Sequence, residues 1–406
     1  MHILYIHQHF TVPSGTTGCR SYEFARRWVK AGHKVTIITG HYDRGGLQTK
    51  RGSFQKQTIE GINVIVVGTN YSDKQSMRRR MGSFVGFMLL GTYAGLRVKG
   101  VDAIYATSTP LTVGVPALIL HWVKRIPLIF EVRDQWPEIP IEMGIIKNRV
   151  LAKALLWLER IIYKSSAAII VLSPGMAEGV RSVAGNSKAI TVITNSSDIE
   201  IFRPDIDGTA IRKEHGWTDK LVLLHFGAMG KANGLGFIIE VAERMKHKAD
   251  IHFVLIGDGA GKKELVEKVA GYGIRNVELL NPLPRIDLVK IVAACDVSMV
   301  IFANHPILEH NSANKFFDSL SAGKPVLLNY RGWQGEILES NGAGFGCNLC
   351  DIDEFVEKIL YISSHINELT RMGRNARMLA EQCFNRDKLA NEALDVVCNT
   401  AKRVRK

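Results

Sequence analysis

Short Val- and Ile-rich runs alternate with longer stretches of helical periodicity along the chain, and they do so in two separate series. Residues 2–6, 35–39, 62–67, 103–106, 128–132, 168–172 and 189–193 read as strands of the first series, and 221–225, 251–256, 277–280, 297–302 and 325–329 as a second that starts afresh. Helical stretches such as 21–31 and 149–164 lie between them. Strands apolar along their whole length have to be covered on both faces, which calls for parallel sheets with helices on each side. The expectation is an α/β protein of two Rossmann-like doubly wound domains facing across a cleft. A length of 406 residues also exceeds what one hydrophobic core serves. The reading assigns a first domain to 1–195, a second to 196–385 and a C-terminal helix at 386–406 that packs back on the first. Residues 195–219, with Pro204, several acids and little apolar periodicity, read as the linker.

Charge is divided unevenly between these parts. Residues 1–195 hold 25 Lys and Arg against 11 Asp and Glu, whereas 196–406 hold 27 against 28. The whole net charge of +13 therefore belongs to the first half. Such a one-sided field attracts a polyanion: a nucleic acid, an acidic membrane surface or a phosphorylated substrate. Nucleic acid is the weaker choice, because the cations are not interleaved with a stacking platform or a recognised helix module. Residues 82–96 form an uncharged run bracketed by cations, Arg78-Arg79-Arg80 before it and Arg97 and Lys99 after it. It is shorter than the roughly 20 residues a membrane span needs. It is expected either to lie in the headgroup region with its cations on anionic lipid, or to be a buried helix with solvated ends.

Six scattered cysteines do not make a disulfide framework, and the chain opens on a strand-like segment rather than a targeting one, so a reducing cytoplasmic setting is expected. Cys347 and Cys350 form a lone CxxC without the second pair a structural metal site needs, and read as ordinary thiols.

In open parallel sheets ligands bind beyond the carboxyl ends of strands, so the loops there are the places to search. The first strand runs into a loop holding Gly15 and Gly18, which allow backbone N–H groups to approach an anion. The loop lacks the GxGxxG spacing, and no acid closes the second strand, which argues against a dinucleotide. The first strand of the second series ends in Gly227-Ala228-Met229-Gly230-Lys231-Ala232-Asn233-Gly234, where Lys231 adds a movable cation suited to a diphosphate. The turn from Gly257 to Lys262 fails the GxxxxGK[ST] spacing and reads as a strand-to-helix turn. The segment 306–325 is the most informative. A polar loop opens a short helix that Ser312 or Asn311 is placed to cap, and Asp318 stands about one turn further in, where a carboxylate can accept from a vicinal diol such as ribose.

Taken together these pieces resemble the GT-B fold glycosyltransferases of family four, the retaining nucleotide-sugar group. The matching segments are the 15–18 loop, Arg133-Asp134-Gln135-Trp136-Pro137, Asn195-Ser196-Ser197-Asp198, the 227–234 loop, Ile256-Gly257-Asp258-Gly259, and Asn314-Lys315-Phe316-Phe317-Asp318 leading into Ala322-Gly323-Lys324-Pro325. The sequence looks most like the bacterial subgroup that transfers N-acetyl-L-fucosamine in O-antigen or capsule assembly. The resemblance implies a UDP-sugar donor, an acceptor saccharide on a polyprenyl diphosphate, no metal or other cofactor, and a place at the anionic inner face of the cell membrane. It implies Lys231, Arg133, Asp134 and His310 as catalytic residues, with Lys231 the diphosphate cation. Donor binding would fall to Gly15, Gly18, Gly227, Leu283, Glu309, Asn311, Ser312, Ala313, Asn314, Lys315, Phe316 and Asp318, the amides of Asn314 to Phe316 holding the diphosphate and Asp318 the ribose. The family usually has Glu where Asp318 stands, its partner acid falls on His310, and a His of many members appears as Arg133.

Two pairs, Asp351-x-Asp353 and Asp205-x-Asp207, match the DxD pattern of metal-using transferases but follow no plausible catalytic strand, and read as chance matches. A UDP-sugar epimerase of the same fold is the alternative enzyme. Incubation with donor alone separates the two, because a transferase needs an acceptor.

Overall fold

The computed structural model describes residues 1–15, 17–47, 54–72, 75–108 and 110–405. The chain divides into two compact units, Met1–Thr194 with Arg386–Lys406, and Asn195–Asn385.

The first unit holds strands β1 (His2–Ile6), β2 (Lys34–Tyr42), β3 (Phe54–Ile59), β4 (Ile62–Tyr71), β5 (Ala103–Thr107), β6 (Leu128–Val132), β7 (Ala168–Val171) and β8 (Ile190–Val192). They form one sheet in the order β3-β4-β2-β1-β5-β6-β7-β8. Every pairing is parallel except β3 with β4. The central strands are buried from end to end, which is why their sequences run Ile, Leu and Val without polar alternation. The alternating edge strand β3 was not expected; its Gln-Lys-Gln stretch carries none of the apolar pattern by which the others are read.

The second unit holds β9 (Leu221–Ala228), β10 (Ile251–Asp258), β11 (Val277–Leu280), β12 (Val297–Val300), β13 (Val326–Leu328) and β14 (Gly344–Gly346) in the order β11-β10-β9-β12-β13-β14, all parallel. The doubly wound α/β class is as expected. The reading of 195–219 as a linker needs correction. Phe202 and Trp217 are fully buried against Val222, Leu224 and Phe226, so this segment is part of the second unit's core and carries its own helix, Thr209–Glu214.

The chain returns to the first unit through the helix Arg386–Arg405, whose Leu389, Ala390, Ala393 and Val397 join the core around Trp28. The Trp28 indole N–H donates to the Ala390 carbonyl at 2.9 Å.

On one face of the first sheet the helix Met77–Arg97 packs on Gly114–Lys124, which packs on Arg149–Ser165. Glycines permit the close approach: a Cβ on Gly95 would lie 2.4 Å from Leu120, and one on Gly114 2.1 Å from Ile162. The segment 82–96 is helical, with one face buried and the other exposed. Ser83, Phe87, Gly91 and Ala94 are buried, while Met81, Val85, Leu89 and Leu96 are exposed. Among the described residues no helix is long and apolar enough to cross a membrane.

One buried ion pair ties the first unit together. Arg20 Nε donates to Glu131 at 3.0 Å, and its other nitrogens donate to the carbonyls of Thr194 (2.5 Å) and Ile193 (2.9 Å), where the chain leaves the unit. Thr107 and Tyr105 also donate to Glu131, at 2.6 and 2.8 Å. Burial works against the carboxylate, but Arg20, Arg133 and the two hydroxyls outweigh it and hold its pKa below the usual range. Removing one partner of such a pair leaves a buried charge uncompensated. Arg20→Met is expected to lower unfolding free energy by roughly 3–5 kcal/mol in urea titrations at neutral pH. Because Glu131 is depressed, the stability it contributes is present at neutral pH and lost as pH falls through its folded value, so the gap to the variant narrows on acidification. A loss under about 1 kcal/mol would show the pair to be dispensable.

Candidate active site

In the second unit the strand order reverses between β9 and β12, and the loops after these strands meet at their carboxyl ends. The Ala303 N–H donates to the Ala232 carbonyl at 3.0 Å, and a Cβ on Gly234 would lie 2.6 Å from Ala303 Cα. The turn Lys231–Asn233 after β9 therefore rests on the loop after β12. Lys231 on this turn is exposed.

The β12 loop continues through the short turn Pro306–His310, with Glu309 and His310, into the helix Asn314–Ser321. Neither Asn311 nor Ser312 caps this helix. The N-cap is Ala313, without a side-chain hydrogen bond. Ser312 is engaged by the first residue of the unit: its hydroxyl accepts from the Asn195 N–H at 3.4 Å and its carbonyl from Asn195 Nδ2 at 2.6 Å. The Asn311 carbonyl accepts from the Trp333 indole at 3.3 Å. Of the three amides expected to meet an anion, that of Phe316 donates to the Ala313 carbonyl at 3.1 Å. Those of Asn314 and Lys315 make no hydrogen bond among the described residues.

Lys315 turns back beneath the β9 loop. Its ammonium nitrogen donates to His225 Nε2 at 3.0 Å and to Asn233 Oδ1 at 3.3 Å, and burial pushes the lysine down to about 7. Burial, then the neighbouring lysine, holds His225 well below its ordinary value, so the imidazole is neutral. Gly227 makes room: at φ +131° it lies in a region L residues avoid, and a Cβ there would stand 3.2 Å from Lys315 Cε.

Asp318 lies one turn into the helix and is 8% exposed. Its Oδ1 accepts from Arg285 Nη2 at 3.3 Å, and the same nitrogen donates to Asp198 at 3.1 Å. A ribose would have to compete with Arg285 for this carboxylate. Leu283, in the loop after β11, packs against the apolar cluster around Phe202. The Gly257–Lys262 turn is strand-to-helix structure, as read, with Lys262 donating to the carbonyls of Gly257 and Leu280 at 3.0 and 3.1 Å.

Gly15, Gly18, Arg133 and Asp134 belong to the first unit, whose strand order reverses between β1 and β5. Arg133, just past β6, donates from Nη1 to His7 Nε2 at 3.5 Å, so the ends of β1 and β6 share a cation and a histidine. Burial, then Arg133, holds His7 well below its ordinary value and neutral. Asp134 is exposed. A Cβ on Gly15 would lie 2.6 Å from the Arg44 carbonyl, so this glycine serves close packing of its loop, whose Thr16 lies outside the described residues. Gly18 precedes the helix Arg20–Lys30.

Sequence reasoning passed over His7 and His225. The available signal was shared by both units: in each, the apolar run of the first strand is followed by a histidine, Ile6-His7 and Leu224-His225. The acids of the DxD matches have local tasks. Asp351 caps the helix Ile352–Ser364, and Asp207 accepts from the Thr209 N–H at 2.9 Å. Among the described residues no three His, Cys, Asp or Glu side chains gather as a metal site would require.

Residues 15–196 match the Glycosyl transferase 4-like domain, and residues 207–379 match Glycosyl transferases group 1. The chain is a glycosyltransferase of the GT-B type. It is 21% identical over 383 residues to WcaI of Escherichia coli (strain K12), named for colanic acid biosynthesis, covering 91% of this chain and 93% of that one. In fold the glycosyltransferase is similar to sucrose-phosphate synthase from Thermosynechococcus elongatus, with a TM-score of 0.77 at 14% identity over 97% of this chain and 98% of that one. It is also similar to Anabaena HepE, solved with UDP and glucose, with a TM-score of 0.72 at 18% identity over 98% and 100%.

Because Gly227 combines a positive φ with a tight approach to Lys315, Gly227→Ala is expected to cost about 1–3 kcal/mol of stability. Chemical denaturation of the variant measures it, and an unchanged midpoint would show that the loop relaxes freely.

Proposed function

We propose that this glycosyltransferase moves a sugar from a UDP-sugar onto a saccharide carried by a polyprenyl diphosphate, in O-antigen or related polysaccharide synthesis. The sugar we assign is N-acetyl-L-fucosamine or a related deoxyamino sugar, following the subgroup the sequence resembles. One observation carries the donor half of this reading. At the reversal of strand order in the second unit, the turn that carries Lys231 meets Lys315 through Asn233, and the amides of Asn314 and Lys315 stand unbonded among the described residues at the start of a helix. That is a seat for an anion. UDP leaves with developing negative charge, and an ammonium with helix-end amides aimed at it lowers the barrier without a metal step. In the first unit we assign Arg133, Asp134 and His7 to the acceptor side.

Lys231→Ala is expected to slow transfer by ~100-fold or more in an assay with UDP-sugar and lipid-linked acceptor. Turnover equal to wild type would remove Lys231 from the reaction. Donor incubated alone should yield no new nucleotide sugar.

A lipid-borne acceptor asks for contact with the bilayer, and the first unit has a surface suited to it. Leu89, 68% exposed, lies on the outer face of Met77–Arg97 with Met81, Val85 and Leu96, between Arg78-Arg79 and Arg97. On the helix Arg149–Ser165, Val150 and Trp157 are 78% and 66% exposed. Arg149, Lys153, Arg160 and Lys164 fall within about 60° of one another around that helix. A cationic stripe beside an apolar face is the pattern of a helix lying in an interface, and it suits the anionic inner face of the cell membrane. The protein should float with vesicles containing anionic lipid and less so with zwitterionic ones. Leu89→Glu with Trp157→Glu should abolish flotation, and failure of the wild type to float would refute the contact.

A further inference from the structure

Lys315 is the one buried lysine among the described residues, at the carboxyl edge of the second sheet, and no described acid neutralises it. Its ammonium contacts are a neutral imidazole on β9 and the carboxamide oxygen of Asn233. No Asp or Glu among the described residues pairs with it. The titratable groups on the elements around it are His225 on β9, Lys231 on the turn, Glu309 and His310 on the loop before the helix, and Asp318, which Arg285 engages. Of these, only His225 is within hydrogen-bonding distance of the lysine. Its own N–H and that of Asn314 begin a helix with no side-chain cap.

We propose that Lys315 is a second phosphate-binding cation of the donor site, and that it takes up a proton from solvent as the nucleotide diphosphate binds. The proposal rests on the UDP-sugar reading above. A buried ammonium without a counter-ion is unfavourable, so in the empty site the lysine gives up its proton readily. A diphosphate placed beside the two open amides reverses the sign of its surroundings and favours the charged form. The proton goes onto Nζ, His225 remains neutral and accepts a hydrogen bond from it, and the positive charge is assembled only when the anion arrives. Lys231, exposed on its turn, needs no such step.

Linkage gives the proposal a pH signature. With the empty-site lysine at about 7, each pH unit above that value lowers the binding-competent fraction up to tenfold, and UDP affinity falls with it. Well below it affinity is flat on this account. The terminal phosphate of UDP, with a pKa of about 6, has already lost its proton at pH 8 and does not mimic the uptake.

Calorimetric titration of UDP into the full chain at pH 8, in buffers of different ionisation enthalpy, counts the protons. The expected result is uptake of about one proton per UDP by the wild type. Lys315→Met should weaken UDP by ~10–100-fold and bring the proton count close to zero. Removing an uncompensated buried amine should leave its urea midpoint at or above that of wild type. Lys231→Met should weaken UDP while leaving the proton count unchanged. UDP bound by the wild type without proton uptake at pH 8, a measurement that needs no variant, would overturn the inference and leave the donor reading standing. So would uptake that persists in Lys315→Met. Failure of the wild type to bind UDP at all would overturn the donor reading, and this inference with it.

Discussion

An amine with no acid beside it, held inside the protein at the end of β9, is the constraint around which the second unit's functional edge is arranged. Lys315 donates to His225 and Asn233, which stand 90 and 82 residues earlier in the chain, on β9 and the turn after it. The histidine is the last polar addition to an apolar strand, and Gly227 leaves the space the lysine stem occupies. Lysine tolerates such a position because it can lose its charge at modest cost, which arginine cannot do. The first unit shows the other solution. Arg20 is also buried, but it stays charged, and Glu131 and two carbonyl oxygens compensate it within the chain. One buried cation has its counter-charge within the chain, and the other has none among the described residues.

The same contrast explains how much of the fold could be read from sequence. Strands buried on both faces, such as β7 and β13, are written as unbroken apolar runs, because every side chain meets a helix on one side or the other. The edge strand β3 meets solvent and carries Gln, Lys and Thr, so its pairing with β4 depends on backbone hydrogen bonds that have no residue signature. β14 consists of Gly-Phe-Gly, too short to show a period. Residues 195–219 looked like a linker because their apolar residues are few and unevenly spaced. Phe202 and Trp217 nonetheless fill the space beneath β9, and two large rings need no periodicity to be buried.

The candidate site was legible where function depends on chain position and obscure where it depends on partners. The loops after β9 and β12, and the helix beginning at Asn314, follow from the order of strands and helices. What Ser312 and Asp318 touch does not, because their partners, Asn195 and Arg285, stand 117 and 33 residues away in the chain. A serine two residues before a helix is statistically a cap. Here Asn195 takes its hydroxyl and carbonyl first, and the cap position passes to Ala313, which has no side-chain acceptor to offer. The uncapped helix start is thus a consequence of a long-range hydrogen bond that local sequence does not reveal.

That long-range tie has a second effect. Residues 195–198, where the chain enters the second unit, are fastened to the helix Asn314–Ser321 along its length. Asn195 bonds Ser312, the Ser197 hydroxyl donates to the Phe317 carbonyl at 2.9 Å, and Asp198 shares Arg285 with Asp318. The entry segment is therefore no slack tether. It lines the helix whose open amides and buried lysine make up the proposed anion seat, and the groups that hold it are neutral hydrogen bonds at one end and an arginine between two carboxylates at the other. A charge brought to the helix start acts on the first of these through Ser312, and a diol brought to Asp318 acts on the second by competing for Arg285. Both ends of the proposed nucleotide seat thus meet the Asn-Ser-Ser-Asp segment, through Asn195 at one end and Asp198 at the other.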